Sequence, residues 1–246
     1  MTFFSEIGNY SVFLAKVFNK PERKRILFKE FKEELIKLGI NSIPIVIIIS
    51  LFIGAVITIQ TAYNMKARLV PLYLIGYLVR ESMILEFSST IVSLILAGKI
   101  GSNIASEIGS MRISEQIDAL EIMGVNSASY LALPKIIAAM VFNPILYVFS
   151  VFIGVLGGIM AGSLGGLISV TSFIEGLQFH VHLYYIAYSM IKTVFFGFII
   201  TSIAAFYGYN VSGGALNVGK ASTKAVVNSS VAILIMNLIL TQLILN

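Results

Sequence analysis

Cysteine is absent from this 246-residue chain, which excludes disulfides, thiolate metal sites and cysteine nucleophiles. Charge is scarce as well. Asp, Glu, Lys and Arg make up 12% of the residues against roughly 25% in an ordinary soluble domain, while 57% are hydrophobic and mean hydropathy is +0.92. A soluble globular domain is thereby excluded. The strict alternation of a membrane barrel is missing too, because the apolar runs are continuous. The start of the chain lacks the basic segment, short apolar core and small-residue cleavage site of a signal peptide, so no such processing is expected. No GxSxG nucleophile elbow is present and neither histidine falls in a nucleophile motif, so no catalytic role is expected.

What remains is hydrocarbon in lengths that fit a bilayer. Five stretches reach or approach the roughly 20 residues that a spanning helix needs. In lipid each backbone N–H and C=O must be satisfied within the segment, so these are helices. The expected fold class is an all-α polytopic membrane protein with five transmembrane helices. The spans are expected near Ile43–Met65, across a second region between Leu69 and Ala97, from Pro134 to about Leu167, at Tyr185–Tyr207 and at Ala225–Leu245. In the second region Arg80, Glu81 and Glu86 interrupt the apolar run, so one long tilted helix or an outer segment plus a span would both fit.

The net charge of +5 is a topological signal rather than a nucleic-acid one, and no nucleic-acid partner is expected. Eight of the 17 basic residues lie between Lys16 and Lys37, before the first span. Adding Lys99, Arg112, Lys135, Lys220 and Lys224 gives the cytoplasmic side 13 of 17, and only Lys66 and Arg68 fall in outer loops. The N-terminus is expected in the cytoplasm and the C-terminus on the other side. Residues 3–18 carry Phe3, Phe4, Ile7, Ser11, Leu14 and Phe18 on one helical stripe, which predicts an amphipathic helix in the interface. Pro21 should break it, and Glu22–Lys37 should continue as a second amphipathic helix. Residues 1–40 thus form an interfacial lead-in to a single five-span domain, 41–246.

Several features inside this frame bear on function. Glu86 and Lys192 are ionisable residues within spans, which are costly there, so they could pair and line a wet cavity; snorkelling to the interface is the alternative. Gly154, Gly158, Gly162 and Gly166 repeat every fourth residue and form a groove for close helix packing, within one subunit or across a dimer. His180 and His182 diverge on a helix and have no carboxylate at ligand spacing, so no metal is expected. Gly214–Lys220 matches a phosphate loop until Ala221 replaces the required hydroxyl residue, so neither a nucleotide nor another cofactor is expected. The longest polar passage, Ala97–Asn126, must lie on the bilayer, line a cavity or touch a partner. Within it Ser114–Met123 reads as a short helix with Ser114 as N-cap and Gly124 as terminator. Ile113, Ile117 and Leu120 form one stripe, and Glu115, Asp118 and Glu121 another.

The run LAGKIGSNIASEIGSMRISEQIDALEIMGVN closely resembles the signature of MlaE-type permeases, the membrane subunits of lipid-trafficking ABC transporters. The resemblance continues in YLALPKIIA, around Ile191-Lys192-Thr193, and in GKASTKAVVNSS, covering most of the chain from about residue 40. It implies a homodimer in the bacterial inner (cytoplasmic) membrane with an interfacial helix and five spans per subunit. It also implies a separate cytoplasmic ABC ATPase, an extracytoplasmic MCE-domain protein, and phospholipid moved between bacterial membranes. The chain itself would be non-catalytic. Glu115, Gln116, Asp118, Ala119, Leu120 and Glu121 would form the coupling helix on the ATPase, between spans two and three, and cavity positions would map to Glu86, Lys192 and Asn237. Two departures stand out. Leu85-Glu86-Phe87-Ser88-Ser89 replaces an Arg-Glu and Gly-Pro pattern, so the arginine is missing and Arg80 is the candidate substitute; Asn237 stands where an acid can occur. The rival readings are an ion-coupled secondary transporter using Glu86 and Lys192, and a membrane assembly factor whose loop recruits a partner.

Overall fold

The computed structural model describes residues 3–19, 24–65 and 71–245, and these are helical with no strand among them. Pro21 and the connection with Lys66 and Arg68 lie outside the described residues, as does the start of the Glu22–Lys37 segment. Helix α1 is Phe3–Phe18. Helix α2, Lys24–Glu34, passes through a π-helical turn at Leu35–Gly39 and a 3₁₀ turn at Ile40–Ser42 into α3, Ile43–Met65. Pro44 sits where the 3₁₀ turn passes into α3, inside this continuous helical run.

The second span is one long helical run from Tyr73 to Ile113. It comprises α4 (Tyr73–Ser82), a π-helical Met83–Ile91, α5 (Val92–Leu96), a π-helical Ala97–Gly101 and α6 (Ser102–Ile113). The inner end of the polar passage therefore continues this span. After α7 (Gln116–Ile122) comes α8, Ser127–Leu164, which starts well before Pro134 because Asn126 caps it, its Oδ1 accepting the Ser129 N–H at 3.2 Å. Between the third and fourth expected spans lies a further helix, α9 (Val170–Gln178), capped by Ser169 Oγ accepting the Ser172 N–H at 3.2 Å. Helix α10 is Leu183–Tyr209 and α11 is Ala215–Leu245. The last helix begins ten residues earlier than its hydropathy suggests, so Lys220 and Lys224 lie on it and not in a loop. Five of these helical runs are long and apolar enough to cross a membrane.

The chain forms two compact units, each built from separate segments. In the unit of Ser42–Ser93 and Pro144–Thr193, α3 packs on the adjoining part of α8 almost backbone to backbone. A methyl at Gly54 would overlap the Gly154 carbonyl, and one at Gly157 would overlap that of Leu51. Ser50 Oγ donates to Ser150 Oγ across the contact at 2.8 Å. Gly158 faces Thr58 Oγ1, and Gly162 faces Ile168 and Thr58. Gly166 departs from the expected packing stripe: it follows the end of α8 with φ +61, where a side chain is strained, and a methyl there would touch nothing. A second close contact joins α4 to α9 through Gly76 and Gly176, under a core of Ile57, Ile75, Val79, Met83 and Phe173.

In the unit of Met1–Asn41, Leu94–Asn143 and Val194–Asn246, α1 docks through Tyr10, Phe13 and Val17. The Tyr10 and Phe13 rings meet Phe206 at 5.6 and 5.9 Å, Phe13 meets Tyr209 at 5.3 Å, and Tyr10 Oη lies 2.7 Å from Ser202 Oγ. The stripe predicted from the sequence is the other face: Ile7 and Phe18 remain exposed. Asn126 Nδ2 donates to the carbonyls of Lys16 and Asn19 at 2.9 and 2.6 Å, tying the end of α1 to the start of α8. Helices α6 and α11 meet where Ser222 Oγ donates to Ser102 Oγ at 2.9 Å.

Candidate functional site

Two groups of residues singled out by the sequence are organised into sites. The first is built on the π-helical stretch Met83–Ile91. Its wider turn is seen at its end, where the Val92 N–H reaches the Phe87 carbonyl five residues back. A π turn alters which side chains share a face and loosens the carbonyls of the preceding turn. Here the Leu85 carbonyl accepts from Lys192 Nζ at 3.0 Å and from Ser89 Oγ at 3.0 Å. Lys192 Nζ also donates to Glu86 Oε1 at 3.1 Å and lies 4.9 Å from the centre of the Tyr188 ring. A fully buried ammonium thus meets a carbonyl, a carboxylate and an aromatic face, which together answer its three N–H groups. Glu86 is different. Thr90 Oγ1 holds its Oε2 at 2.9 Å, yet 44% of its side chain is exposed. The result is a fixed cation behind a half-exposed carboxylate. Such a pair can meet a polar or zwitterionic group. No group of His, Asp or Glu able to hold a metal occurs among the described residues.

Arg80 is buried and fully engaged elsewhere in the same unit. Its Nε and Nη2 donate to Glu81 Oε1 at 3.1 and 2.6 Å, Nη1 to the Leu177 carbonyl at 2.5 Å, and Nη2 to the His180 carbonyl at 3.0 Å. Those carbonyls close the C-terminal end of α9, where backbone acceptors lack helical partners. Arg80 is thus a clamp on α9, and His180, with φ +43, is held in the strained turn that this clamp closes. Asn237 belongs to the other unit, half-buried on α11, with its carbonyl accepting from Thr241 Oγ1 at 2.7 Å.

The second site is α7. The expected N-cap is corrected: Ser114 closes α6, its Oγ donating to the Ser110 carbonyl at 2.8 Å, and Glu115 takes a left-handed turn at φ +59 before α7 begins at Gln116. The other end is as expected. Gly124 adopts φ +79, its N–H reaching the Glu121 carbonyl at 2.9 Å while the Val125 N–H reaches that of Leu120 at 3.1 Å. Of the acids, Asp118 Oδ1 accepts from Arg112 Nη1 at 2.6 Å. Glu121 Oε1 accepts from Tyr209 Oη at 2.8 Å and Ser127 Oγ at 2.9 Å. These hydrogen bonds, Tyr209's first, hold the Glu121 carboxyl below its ordinary range despite some desolvation. Ile117 is buried and Leu120 half-buried, whereas Glu115, Gln116 and Ala119 face outward. The segment's most exposed large apolar side chains, at the end of α7, are two that sequence reasoning missed: Ile122, 87% exposed, and Met123, 68% exposed. Their signal was two large apolar residues directly before a helix-ending glycine.

A buried ionic cluster was also missed. Lys135 Nζ, 4% exposed, contacts a Glu34 carboxylate oxygen closely and Glu107 Oε2 at 3.1 Å, and Lys37 Nζ reaches the same Glu107 oxygen at 2.7 Å. It ties α2 and the turn after it to α6 and α8. Its signal was Lys135 itself, one charge inside a long apolar run.

Comparison with known proteins gives a uniform result. The family model described as Permease MlaE matches residues 31–243. A probable ABC transporter permease protein of Rickettsia bellii is 34% identical over 237 residues, 96% of this chain and 91% of that protein. Another from Synechocystis sp. is 34% identical over 234 residues, 93% and 87% of the two chains. The intermembrane phospholipid transport system permease protein MlaE of Haemophilus influenzae is 30% identical over 243 residues, 98% of this chain and 92% of that one.

Proposed function

Since the chain belongs to the MlaE permease family, we propose that it is the membrane subunit of an ATP-driven ABC transporter that moves phospholipid between bacterial membranes. The observation that carries this reading is near full-length similarity to a permease named for intermembrane phospholipid transport. In this reading the chain is non-catalytic and works as a homodimer in the inner membrane, with a separate cytoplasmic ATPase and an extracytoplasmic MCE-domain protein. The N-terminus and α7 lie in the cytoplasm and the C-terminus outside.

The geometry divides the labour. Helix α7 is the coupling helix. Its acids brace it against Arg112, Ser127 and Tyr209, and its apolar tip at Ile122 and Met123, beside Ala119 and Glu115, is left to seat in a groove of the ATPase. Glu86 and Lys192 mark the polar point of the lipid cavity, the half-exposed carboxylate facing the headgroup and the buried lysine holding it in place. Arg80 positions α9 and does not replace the missing family arginine in the cavity.

The test is reconstitution of the chain with its ATPase in vesicles carrying an acyl-labelled phosphatidylethanolamine. ATP-dependent movement of the label is expected, and Ile122→Asp with Met123→Asp should abolish it and reduce ATPase co-purification at least tenfold, a loss of about 1.4 kcal/mol of docking energy. If no ATPase co-purifies and an ion gradient alone drives movement, the reading is wrong and the secondary-transporter rival stands.

A further inference from the structure

Three hollows in the unit of Met1–Asn41, Leu94–Asn143 and Val194–Asn246 share their walls. The first is a polar cleft of about 420 Å³ where the start of α1 meets the end of α10 and the first turns of α11; Glu6, Asn9, Asn217, Lys220 and Lys224 supply its polar groups. A small hollow of about 120 Å³ shares Glu6, Phe206 and Tyr207 with that cleft and adds Tyr10 and Ile203. Tyr10 and Ile203 in turn line a groove of about 640 Å³ whose other walls are hydrocarbon, among them Phe195, Ile199 and Ile235. The hollows thus form one track, ionic at one end and apolar at the other, of a size usual for small-molecule sites.

The charges at the ionic end are specific in sign and place. Lys220 and Lys224 are four residues apart on α11 and so project from one face. Neither forms an ion pair among the described residues. Glu6 stands on the opposite wall, sharing the Tyr207 hydroxyl with Asn228 Nδ2, which lies 3.0 Å from that oxygen. Two cations, one separate anion and an adjoining hydrocarbon groove are complementary to a molecule with a phosphate, an ammonium and an acyl chain.

We propose that this track holds one glycerophospholipid with a phosphoethanolamine headgroup, the phosphate on Lys220 and Lys224, the ammonium on Glu6, and an acyl chain running past Tyr10 and Ile203 into the groove. The site contains neither Glu86 nor Lys192 and does not depend on the transport reading. A free anion would answer the lysines and leave the groove unfilled. A helix from a second copy would fill the groove and leave the lysines unanswered. Only an amphiphile meets both ends.

The chain has no tryptophan, so one introduced residue reports alone. Phe195→Trp places it at the groove, and Phe52→Trp, at a 62% exposed position on α3, serves as the bulk-lipid reporter. Each full-length variant is reconstituted in phosphatidylcholine vesicles with rising fractions of dibrominated phosphatidylethanolamine or dibrominated phosphatidylglycerol. At Phe195→Trp, half-maximal quenching by the ethanolamine lipid should come at a mole fraction well below that at Phe52→Trp. Lys220→Ser and Lys224→Ser should each raise it about fivefold, the effect of roughly one lysine at an anionic headgroup. Lys220→Arg with Lys224→Arg should keep the preference, which separates loss of charge from loss of fold. Glu6→Gln should remove the discrimination between the ethanolamine and glycerol lipids. Equal quenching at both reporters, insensitive to the lysines, would mean bulk lipid only and overturn the proposal. So would the absence of quenching at Phe195→Trp by any brominated lipid, with Phe195→Cys forming a disulfide to a second copy.

Discussion

Lys192 and Glu86 are unequal partners, and the inequality predicts how each will fail. The ammonium is fully buried, while 44% of the Glu86 side chain is exposed. Removing Glu86 strands a cation that water cannot reach, whereas removing Lys192 leaves a carboxylate that can hydrate. Breaking a buried pair by deleting one side costs on the order of 3 kcal/mol, because the other charge is left uncompensated. Glu86→Ala should therefore lower the thermal unfolding midpoint more than Lys192→Met does. Glu86→Gln combined with Lys192→Met should recover most of the loss, and a larger drop for Lys192→Met alone would show that burial does not govern the pair. Glu121 gives a second residue-scale expectation, this one in pH. Its carboxyl is held below the ordinary range first by the Tyr209 hydroxyl and then by Ser127. The bracing of α7 is thus fully present above the ordinary carboxylate range and is lost as pH falls through the lowered pKa. Amide exchange of Gln116–Ile122, taken relative to its intrinsic rate at each pH, should quicken in acid. In Tyr209→Phe the quickening should begin at a higher pH, and in Glu121→Gln the acid dependence should largely vanish. An unchanged profile in Tyr209→Phe would remove the hydroxyl as the cause. The pairing of Glu86 with Lys192 was legible in the sequence, because charges inside spans have few other ways to be satisfied. The bracing of Asp118 and Glu121 was not, since a free surface acid and a braced one look alike until Arg112 and Tyr209 are placed beside them.

Glycines separate the elements that pack from those that only turn. At Gly54 a methyl would overlap the Gly154 carbonyl, so Gly54→Ala must push α3 and α8 apart, at the roughly 1–3 kcal/mol usual for overpacking. Gly166→Ala meets no neighbour and pays only for a left-handed backbone, about 1–2 kcal/mol. Gly98→Ala meets neither penalty and, by helix propensity, should stabilise by up to about 1 kcal/mol. Thermal unfolding in detergent should rank the three in that order, and a Gly54→Ala protein as stable as the parent would disprove the close approach. The same elements show where sequence reasoning reaches. The apolar part of the first span, placed at about Ile43–Met65, was legible from hydropathy, but the helical run reaches back through the 3₁₀ and π turns to α2, because the amphipathic segment before it is helical too. Helix α11 was placed ten residues late, since its first turns face a polar cleft and carry Lys220 and Lys224, which hydropathy assigns to a loop. On α1 the sequence stripe did not reveal the docking face, which is the neighbouring one, where Tyr10 and Phe13 find Phe206 and Tyr209. The π-helical turns at Met83–Ile91 and Ala97–Gly101 left no local signature, because the same residues suit an α-helix and only distant partners favour the wider turn.

Across the whole molecule, the class was legible because lipid leaves the backbone few solutions, and five runs of the right length then leave only orientation to decide. Orientation rests on charge. Thirteen of 17 basic residues fall in segments that share one side if the chain crosses five times, and an opposite insertion would carry all of them across the bilayer. The absence of cysteine makes this directly measurable, because any introduced thiol is unique. Met123→Cys and Leu216→Cys, at 68% and 75% exposed positions, should react with a membrane-impermeant maleimide only in inside-out vesicles. Leu164→Cys and Leu183→Cys, at 83% and 76% exposed positions, should react only in right-side-out vesicles. Adding the ATPase should protect Met123→Cys and leave Leu216→Cys reactive, which ties topology to coupling in one experiment. If Met123→Cys is labelled from the outside, the charge rule fails for this chain, and with it the assignment of α7 to a cytoplasmic motor. If it is labelled from the inside yet never protected, the orientation stands and the docking surface must be sought elsewhere on that side.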